Sequence, residues 1–247
     1  MYRTVVVIPC YNEAARLKSE EFIAAIAAYP SVQFLFVDDG SKDGTDRVLE
    51  ALAARDRERL HCLKLPQNQG KAEAVRQGLV QAFTMPVDLV GFFDADLATP
   101  LSEIPILSEP FADRDIEMVM ASRVAMLGRS IDRSTWRHYT GRVFATIASL
   151  LLSLRVYDTQ CGAKLFRKTD AVREVFDRPF MSSWAFDVEI LARLQRLQRS
   201  GKIPPVARVV IEVPLRQWTD VGGSKINFRD SVVATSQLLL MWWRYRE

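Results

Sequence analysis

The chain has 247 residues, 49% of them hydrophobic and 26% charged, a balance that suits a folded protein with a sizeable core and excludes dominant disorder. Its net charge of +3 is too small to argue for a nucleic-acid partner. The three cysteines, Cys10, Cys62 and Cys161, are odd in number and far apart, so they suggest neither a disulfide framework nor a CxxC metal site and fit a reducing compartment.

The predicted elements alternate. Val5–Ile8 reads as a buried strand ending at Pro9, and Glu13–Ala28 follows with helical spacing at Leu17, Phe22 and Ile26. Phe34–Val37 is the next strand, then a helix over Thr45–Arg55, a short strand over His61–Leu65, a helix over Gly70–Phe83 and a strand over Leu89–Phe93. Continuous apolar strands separated by helices predict a parallel sheet covered on both faces. In the second half the pattern predicts strands over Ile116–Ser122, Lys164–Phe166 and Val206–Leu215. Helices are predicted over Thr135–Leu154, Trp184–Arg199 and Asn227–Arg244. No linker and no internal repeat is visible, so a single domain is expected, with halves at about 1–122 and 123–247.

The opening, Met-Tyr-Arg-Thr-Val-Val-Val-Ile-Pro, lacks the pattern of a signal peptide. The longest apolar stretch, Val143–Leu154, is about 12 residues, against roughly 20 for a spanning helix. The expectation is a chain that does not cross a membrane but is able to lie on one.

Polar clusters stand where strands end: Pro9-Cys10-Tyr11-Asn12-Glu13, Asp38-Asp39-Gly40 and Asp94-Ala95-Asp96. Each alone reads as a cap or a turn. Three on the carboxyl rim of one sheet describe a binding site. Asp94 and Asp96 alternate on an extended segment, which places both carboxylates on one face. Such a pair, with no His or Cys nearby, suits a hard divalent ion, Mg2+ or Mn2+, able to bridge a diphosphate. The rival is an acid/base pair for glycoside hydrolysis, which has no use for the nucleotide pocket the other clusters suggest. There is no GxxxxGK[ST] loop and no GxGxxG turn.

The runs Val-Ile-Pro-Cys-Tyr-Asn-Glu (7–13), Val-Asp-Asp-Gly-Ser (37–41), Asn-Gln-Gly-Lys (68–71) and Asp-Ala-Asp (94–96) resemble glycosyltransferase family 2, with the GT-A fold: α/β, a Rossmann-like, mostly parallel sheet flanked by helices. The runs 158–166 and 186–189, Glu-Val-Pro-Leu-Arg-Gln-Trp (212–218) and Gly-Ser-Lys-Ile (223–226) resemble the dolichyl-phosphate glucosyltransferase and mannose synthase group. The resemblance implies an enzyme that moves a hexose from a nucleotide-sugar to a polyprenyl phosphate. It places Pro9, Tyr11, Glu13 and Asp39 at the base and ribose, with Asp38 supporting them and Lys71 near the nucleotide. Asp94 and Asp96 would hold metal and diphosphate, and Arg123 would face the phosphates or the acceptor. Gln160, Asp187 and Glu189 would line the sugar side, and Arg216, Trp218, Ser224 and Lys225 would close over the phosphates. The mannose synthase pattern often has Gln two residues after the second Asp. Here that position is Ala98, which resembles the glucosyl branch and makes UDP-glucose the preferred donor over GDP-mannose.

Residues 121–155 hold six arginines (Arg123, Arg129, Arg133, Arg137, Arg142, Arg155), no lysine and one acid, Asp132, for a segment charge of +5. Arginine grips phosphate bidentately. A basic stretch joined to the stripe Trp136, Tyr139, Val143, Phe144, Ile147, Leu151 and Leu154 suits an anionic lipid surface; the same stripe also suits a helix packed on a core. Trp242, Trp243 and Tyr245 with Arg244 and Arg246 leave the same choice at the C-terminus. A phosphate acceptor needs no strong base, since its second pKa is near 6, and neither His61 nor His138 is assigned a catalytic role. Cys161 is read as a small buried residue rather than a nucleophile. The expected location is the cytoplasmic face of a membrane. The alternatives are a soluble sugar, phosphometabolite or polysaccharide acceptor, and a nucleotide-sugar-binding module without turnover.

Overall fold

The computed structural model describes residues 1–132, 135–221, 238, 240, 241 and 243–245; within 135–140 only the side chain of Tyr139 is described. In chain order the elements are β1 (Thr4–Cys10), α1 (Ser19–Ala28), β2 (Val32–Asp38), α2 (Thr45–Ala53), β3 (Leu60–Lys64), α3 (Lys71–Ala82), β4 (Leu89–Phe93), α4 (Glu103–Ser108), β5 (Met118–Ser122), β6 (Ser130–Asp132), α5 (Thr135–Leu152), β7 (Ala163–Arg167), α6 (Asp170–Arg173), α7 (Phe186–Arg199), α8 (Val206–Val209), β8 (Val210–Pro214) and β9 (Gln217–Thr219). The central sheet runs β3-β2-β1-β4-β7-β5-β8, and β6 pairs with β9 in a small second sheet.

Alternation along the strands divides the core. Val5 and Val7 pack with Leu35, Val37, Val90 and Phe92 under α3, α7 and Phe144 of α5. Val6 and Ile8 face the other way, with Phe22 of α1, Phe34, Phe36, Leu49 of α2 and Ile104 of α4. The Phe22 ring meets Phe34 and Phe36 edge-on at 5.1 and 4.9 Å, the geometry aromatic quadrupoles favour. Both faces of β1, β2 and β4 are thus buried, which is why these strands carry continuous apolar runs.

Several expectations are corrected. The sheet is not parallel throughout: β7 inserts antiparallel between β4 and β5, with Phe93 opposite Ala163 and Met120 opposite Lys164. The helix expected over Glu13–Ala28 begins only at Ser19. Asn12 is left-handed, at φ 53°, and the amides of Glu13 and Ala14 bind Thr45 Oγ1 and Asp43 Oδ2 of the neighbouring loop. That tertiary tie leaves a single turn closed on the Glu13 carbonyl. The strand expected over Val206–Leu215 opens instead with α8, because Pro205, with a helical φ and no amide, starts a turn whose carbonyl Arg208 caps at 2.8 Å. The stripe on α5 divides. Phe144 is buried and Ile147, Leu151 and Leu154 lean on the core, whereas Tyr139 and Val143 face solvent. The short elements α4, β6 and β9 were not anticipated. Of the closing helix, residues 238, 240, 241 and 243–245 are helical. Its remaining residues, together with Ser224, Lys225, Trp242 and Arg246, lie outside the described residues, as do Arg133 and the side chains of Trp136, Arg137 and His138.

Gly78 shows how closely α3 approaches the sheet. A Cβ there would meet Val7 Cγ1 at 2.4 Å and Val37 Cγ2 at 2.8 Å. Helix propensity alone credits Gly78→Ala with about 1 kcal/mol of stabilisation, but overpacking costs about 1–3 kcal/mol. The expected outcome is a net loss, read as a lower urea midpoint; a higher midpoint would mean that α3 can lift from β1.

Candidate active site

The carboxyl ends of β1, β2 and β4 bring the first three polar clusters together. The loop after β1 is fastened to the loop after β2: Asn12 N donates to Ser41 Oγ at 3.0 Å, and Lys42 N donates to Asn12 Oδ1 at 3.0 Å. Asp39 is 2% exposed, and its two oxygens accept the amides of Gln69 and Gly70, each at 2.8 Å. Its carboxylate therefore shapes the start of α3. Gly40, at φ +66°, is forced on two counts, since a Cβ would also stand 2.5 Å from the Gln67 carbonyl carbon. Asp38 accepts Ser41 N at 3.0 Å, and its buried Oδ2 has no hydrogen-bond partner among the described residues.

Between these loops lies a cavity of about 620 Å³ lined by Tyr11, Gly40, Ser41, Lys42, Pro66 and Asn68, among others. Tyr11, 43% exposed, offers it an aromatic face. Pro9, Glu13, Asp38 and Asp39 frame this region without lining the cavity.

The charged cluster stands at the end of β4. Lys71 Nζ is 2.6 Å from Asp94 Oδ1. Partial removal from water works to lower the pKa of Lys71, whose side chain stays 44% exposed, but the carboxylates of Asp94 and Asp187 outweigh it and hold the ammonium above the ordinary lysine value. Burial, then the charge of Asp94, raises the Asp96 carboxyl. Burial is also the main cause of the rise at Glu13, with Arg16 opposing it at 2.6 Å and Asp96 adding to it. Asp94 fits because residue 162 is glycine: a Cβ there would sit 2.0 Å from Asp94 Oδ2. The Asp94 amide donates to the Gly162 carbonyl at 3.0 Å.

β7 adds a group that the sequence reading missed. Lys164 is fully buried and pairs with Asp187 Oδ1 at 2.5 Å, while also donating to the Cys161 carbonyl at 2.7 Å. Burial pushes Asp187 up, against the pull of Lys164 and Lys71. A lysine inside an apolar strand was the available signal, since a buried ammonium requires an anionic partner. Cys161 is buried and its thiol is pushed up to about 12, chiefly by burial, which leaves no thiolate for nucleophilic chemistry.

The residues expected on the acceptor side form a chain of contacts. Arg123 Nε and a terminal nitrogen bind Asp158 at 2.6 and 2.7 Å, and its guanidinium carbon lies 5.3 Å from the Trp218 ring. Burial opposes the charge of Arg123, but Asp158 more than restores it, and the pKa lies above that of a free arginine. The amides of Tyr157 and Asp158 in turn donate to the Glu212 carboxylate at 2.7 and 2.8 Å. Asp158 and Glu212 stood in the quoted runs without a role, although Glu212 is an acid within a predicted strand. Gln160 is half-buried in the same loop and Arg216 is exposed. The Arg216 amide is held by buried Glu103 at 3.0 Å. Glu189 is not brought to the site. It is fully buried and binds Arg193 at 2.7 Å and the Tyr245 hydroxyl at 2.8 Å.

Among the described residues no group of three or more His, Cys, Asp and Glu could hold a metal ion. Asp94 and Asp96 alone fit a divalent cation that takes one or two carboxylates and completes its shell with substrate phosphates and water.

An α/β sheet of this order, with carboxylates and a cavity at its carboxyl rim, has the GT-A fold. The profile of Glycosyl transferase family 2 matches residues 5–173, and the chain belongs to that family. It is 32% identical over 256 residues to a dolichyl-phosphate beta-glucosyltransferase of Drosophila melanogaster, covering 97% of this chain and 74% of that protein. It is 30% identical over 167 residues to an undecaprenyl-phosphate 4-deoxy-4-formamido-L-arabinose transferase of Pseudomonas aeruginosa, covering 66% of this chain and 47% of that protein. In fold it resembles glucosyl-3-phosphoglycerate synthase from Mycobacterium tuberculosis, solved with Mn2+, UDP and phosphoglyceric acid, with a TM-score of 0.64 at 18% identity over 99% of this chain and 78% of that one.

The Lys164–Asp187 pair has a pH signature. A carboxyl whose folded pKa is raised contributes stability that is present below its unfolded pKa and lost as pH rises through the folded one. Lys164→Met leaves Asp187 buried and unpaired, a loss of about 3–5 kcal/mol at neutral pH. Denaturant titrations should show that loss shrinking as pH falls toward the raised Asp187 value. An equal loss at pH 8 and pH 5 would assign the effect to packing rather than charge.

Proposed function

We propose that this glycosyltransferase moves one hexose from a nucleotide-sugar, UDP-glucose in preference to GDP-mannose, to a polyprenyl phosphate. The observation that carries the reading is the Lys71–Asp94–Asp96 cluster beside the Tyr11 cavity. Tyr11 would stack on the base, the cavity would hold the nucleoside, and the diphosphate would extend toward Lys71. Asp94 and Asp96 would hold Mg2+ or Mn2+, which supplies neutralisation of the charge that builds on the departing nucleotide. Lys71 adds a fixed positive charge at the same place.

A polyprenyl phosphate acceptor is supported by the names of the relatives and by the chemistry of the site. Among the described residues no histidine stands in the charged cluster; His61 lies on β3, 3.3 Å from Gln33. Asp187 is engaged by Lys164. An acceptor hydroxyl would need a base, whereas a phosphate, largely dianionic at neutral pH, attacks without one. A single in-line displacement then inverts the anomeric centre. Arg123, fixed by Asp158 and stacked toward Trp218, would hold the incoming phosphate, with Gln160 beside the sugar and Arg216 over the phosphates. Among the described residues no helix is long and apolar enough to cross a membrane, and the enzyme would meet its lipid from the cytoplasmic surface.

The test incubates purified protein with Mn2+ or Mg2+, UDP-glucose or GDP-mannose, and short polyprenyl phosphates, and reads the lipid by mass spectrometry. A lipid gaining one hexose from UDP-glucose is expected. Asp96→Asn should lower transfer by at least about 10²–10³-fold with an unchanged melting curve, as should chelation of the cation. Near-normal turnover in a folded Asp96→Asn protein would overturn the metal assignment, and nucleotide release without lipid product would move the acceptor to a soluble molecule.

A further inference from the structure

A second cavity, of about 340 Å³, is lined by Arg178, Met181, Arg193, Arg196, Arg244 and Tyr245. Arg196 is nine residues along α7 from Asp187, about 13 Å of helix rise, so the cavity is separate from the catalytic cluster. Its walls are fixed. Buried Arg193 donates to the carbonyls of Val175, Arg178 and Pro179 at 2.6, 2.7 and 2.6 Å and to Glu189. The Tyr245 hydroxyl donates to Glu189, and Arg199 donates to the Tyr245 carbonyl. The C-terminal helical residues are thereby held against α7.

The charge around this cavity is unbalanced. Two carboxylates line it, Glu174 and Asp177. Glu174 is taken by Lys202, at 2.6 Å from each oxygen, and Glu189 behind the wall is taken by Arg193. Arg178, Arg196 and Arg244 are exposed and have no carboxylate partner among the described residues; the Arg196 guanidinium carbon lies 5.8 Å from the Tyr245 ring. Among the described residues, the four lining arginines and Lys202 set against Glu174, Asp177 and Glu189 leave a local charge of plus two. Beside them stand Leu240 and Trp243, 59% and 63% exposed. At helical spacing, Leu240, Trp243 and Arg244 share one face. An exposed aromatic and an aliphatic next to guanidinium groups suit a membrane–water boundary, where the apolar side chains enter the acyl edge and the cations meet phosphate.

We propose that this cavity binds the phosphate of an anionic phospholipid headgroup, with Leu240 and Trp243 entering the bilayer edge beside it. The proposal deepens the membrane reading above by giving the enzyme a lipid contact apart from its acceptor site. Guanidinium groups present paired donors that match phosphate oxygens.

The test is co-sedimentation of the full chain with phosphatidylcholine vesicles, with and without phosphatidylglycerol. Wild type should prefer the anionic vesicles. Each arginine near such a surface contributes about fivefold to partition, so Arg196→Gln with Arg244→Gln should lower binding about 25-fold. Both residues are exposed, so the fold should survive, and sugar transfer to a water-soluble short-chain acceptor should stay within about twofold. Leu240→Ser with Trp243→Ser should weaken binding to both vesicle types. Equal binding of wild type to neutral and anionic vesicles, or unchanged partition of the double arginine variant, would overturn the proposal. Calorimetric titration with inorganic phosphate separates the sources. Phosphate binding that the arginine variant loses, without any vesicle preference in wild type, would make the ligand a soluble phosphate and overturn the lipid assignment. Anionic-vesicle binding that the arginine variant loses, in a protein that transfers no sugar to lipid, would support this inference while refuting the acceptor reading.

Discussion

The carboxylate of Asp94 occupies the space that any side chain at residue 162 would fill, and the charged site is organised around that contact. It requires β7 to lie directly against β4, which the antiparallel register from Leu89–Arg167 to Phe93–Ala163 provides. The same register carries Lys164 to the end of β4 and so to Asp187. One strand therefore supplies both the space for Asp94 and the counter-charge for Asp187.

From Asp94 onward the charges alternate in sign, Asp94, Lys71, Asp187 and Lys164, with Asp96 beside the first; of these Asp187 and Lys164 are buried. Isolated buried charges are among the most costly groups a protein can carry, and buried pairs seldom add net stability over apolar replacements. Held in place by their partners, these groups keep fixed charge at the rim before any ligand arrives, which is what the proposed diphosphate site would need. Arg123 follows the same logic. Its fork is oriented by Asp158, whose amide is oriented by Glu212, so the ring of Trp218 meets a guanidinium that has little freedom to lose on binding.

Much of this was legible in the chain. The strand–helix alternation and the acidic runs at strand ends located the sheet and the rim, since both follow from local periodicity and from where a parallel sheet stops. What escaped were the effects of distant pairing. The helix at Glu13 failed because Thr45 and Asp43 take its first amides. Asp39, expected at the nucleoside, also accepts the amides of Gln69 and Gly70, a contact across about thirty residues that no local pattern shows. Lys164, Asp158 and Glu212 carry no local signature beyond being charged in apolar company. Glu189 carried the converse error: a neighbour of Asp187 in sequence, it faces another side of α7.

The strand order has a consequence for how the chain is made. In the folded sheet β4 has one edge on β1, which precedes it in the chain, and the other on β7, which is synthesised only after β5, β6 and α5. Until then the nascent chain presents an unpaired, hydrophobic ribbon to its surroundings. Such long-range closure is slow compared with helix formation, and an exposed edge of this kind favours association between unfinished copies. The interval between the fourth strand and the seventh is therefore the stretch of the chain over which that edge has no partner of its own.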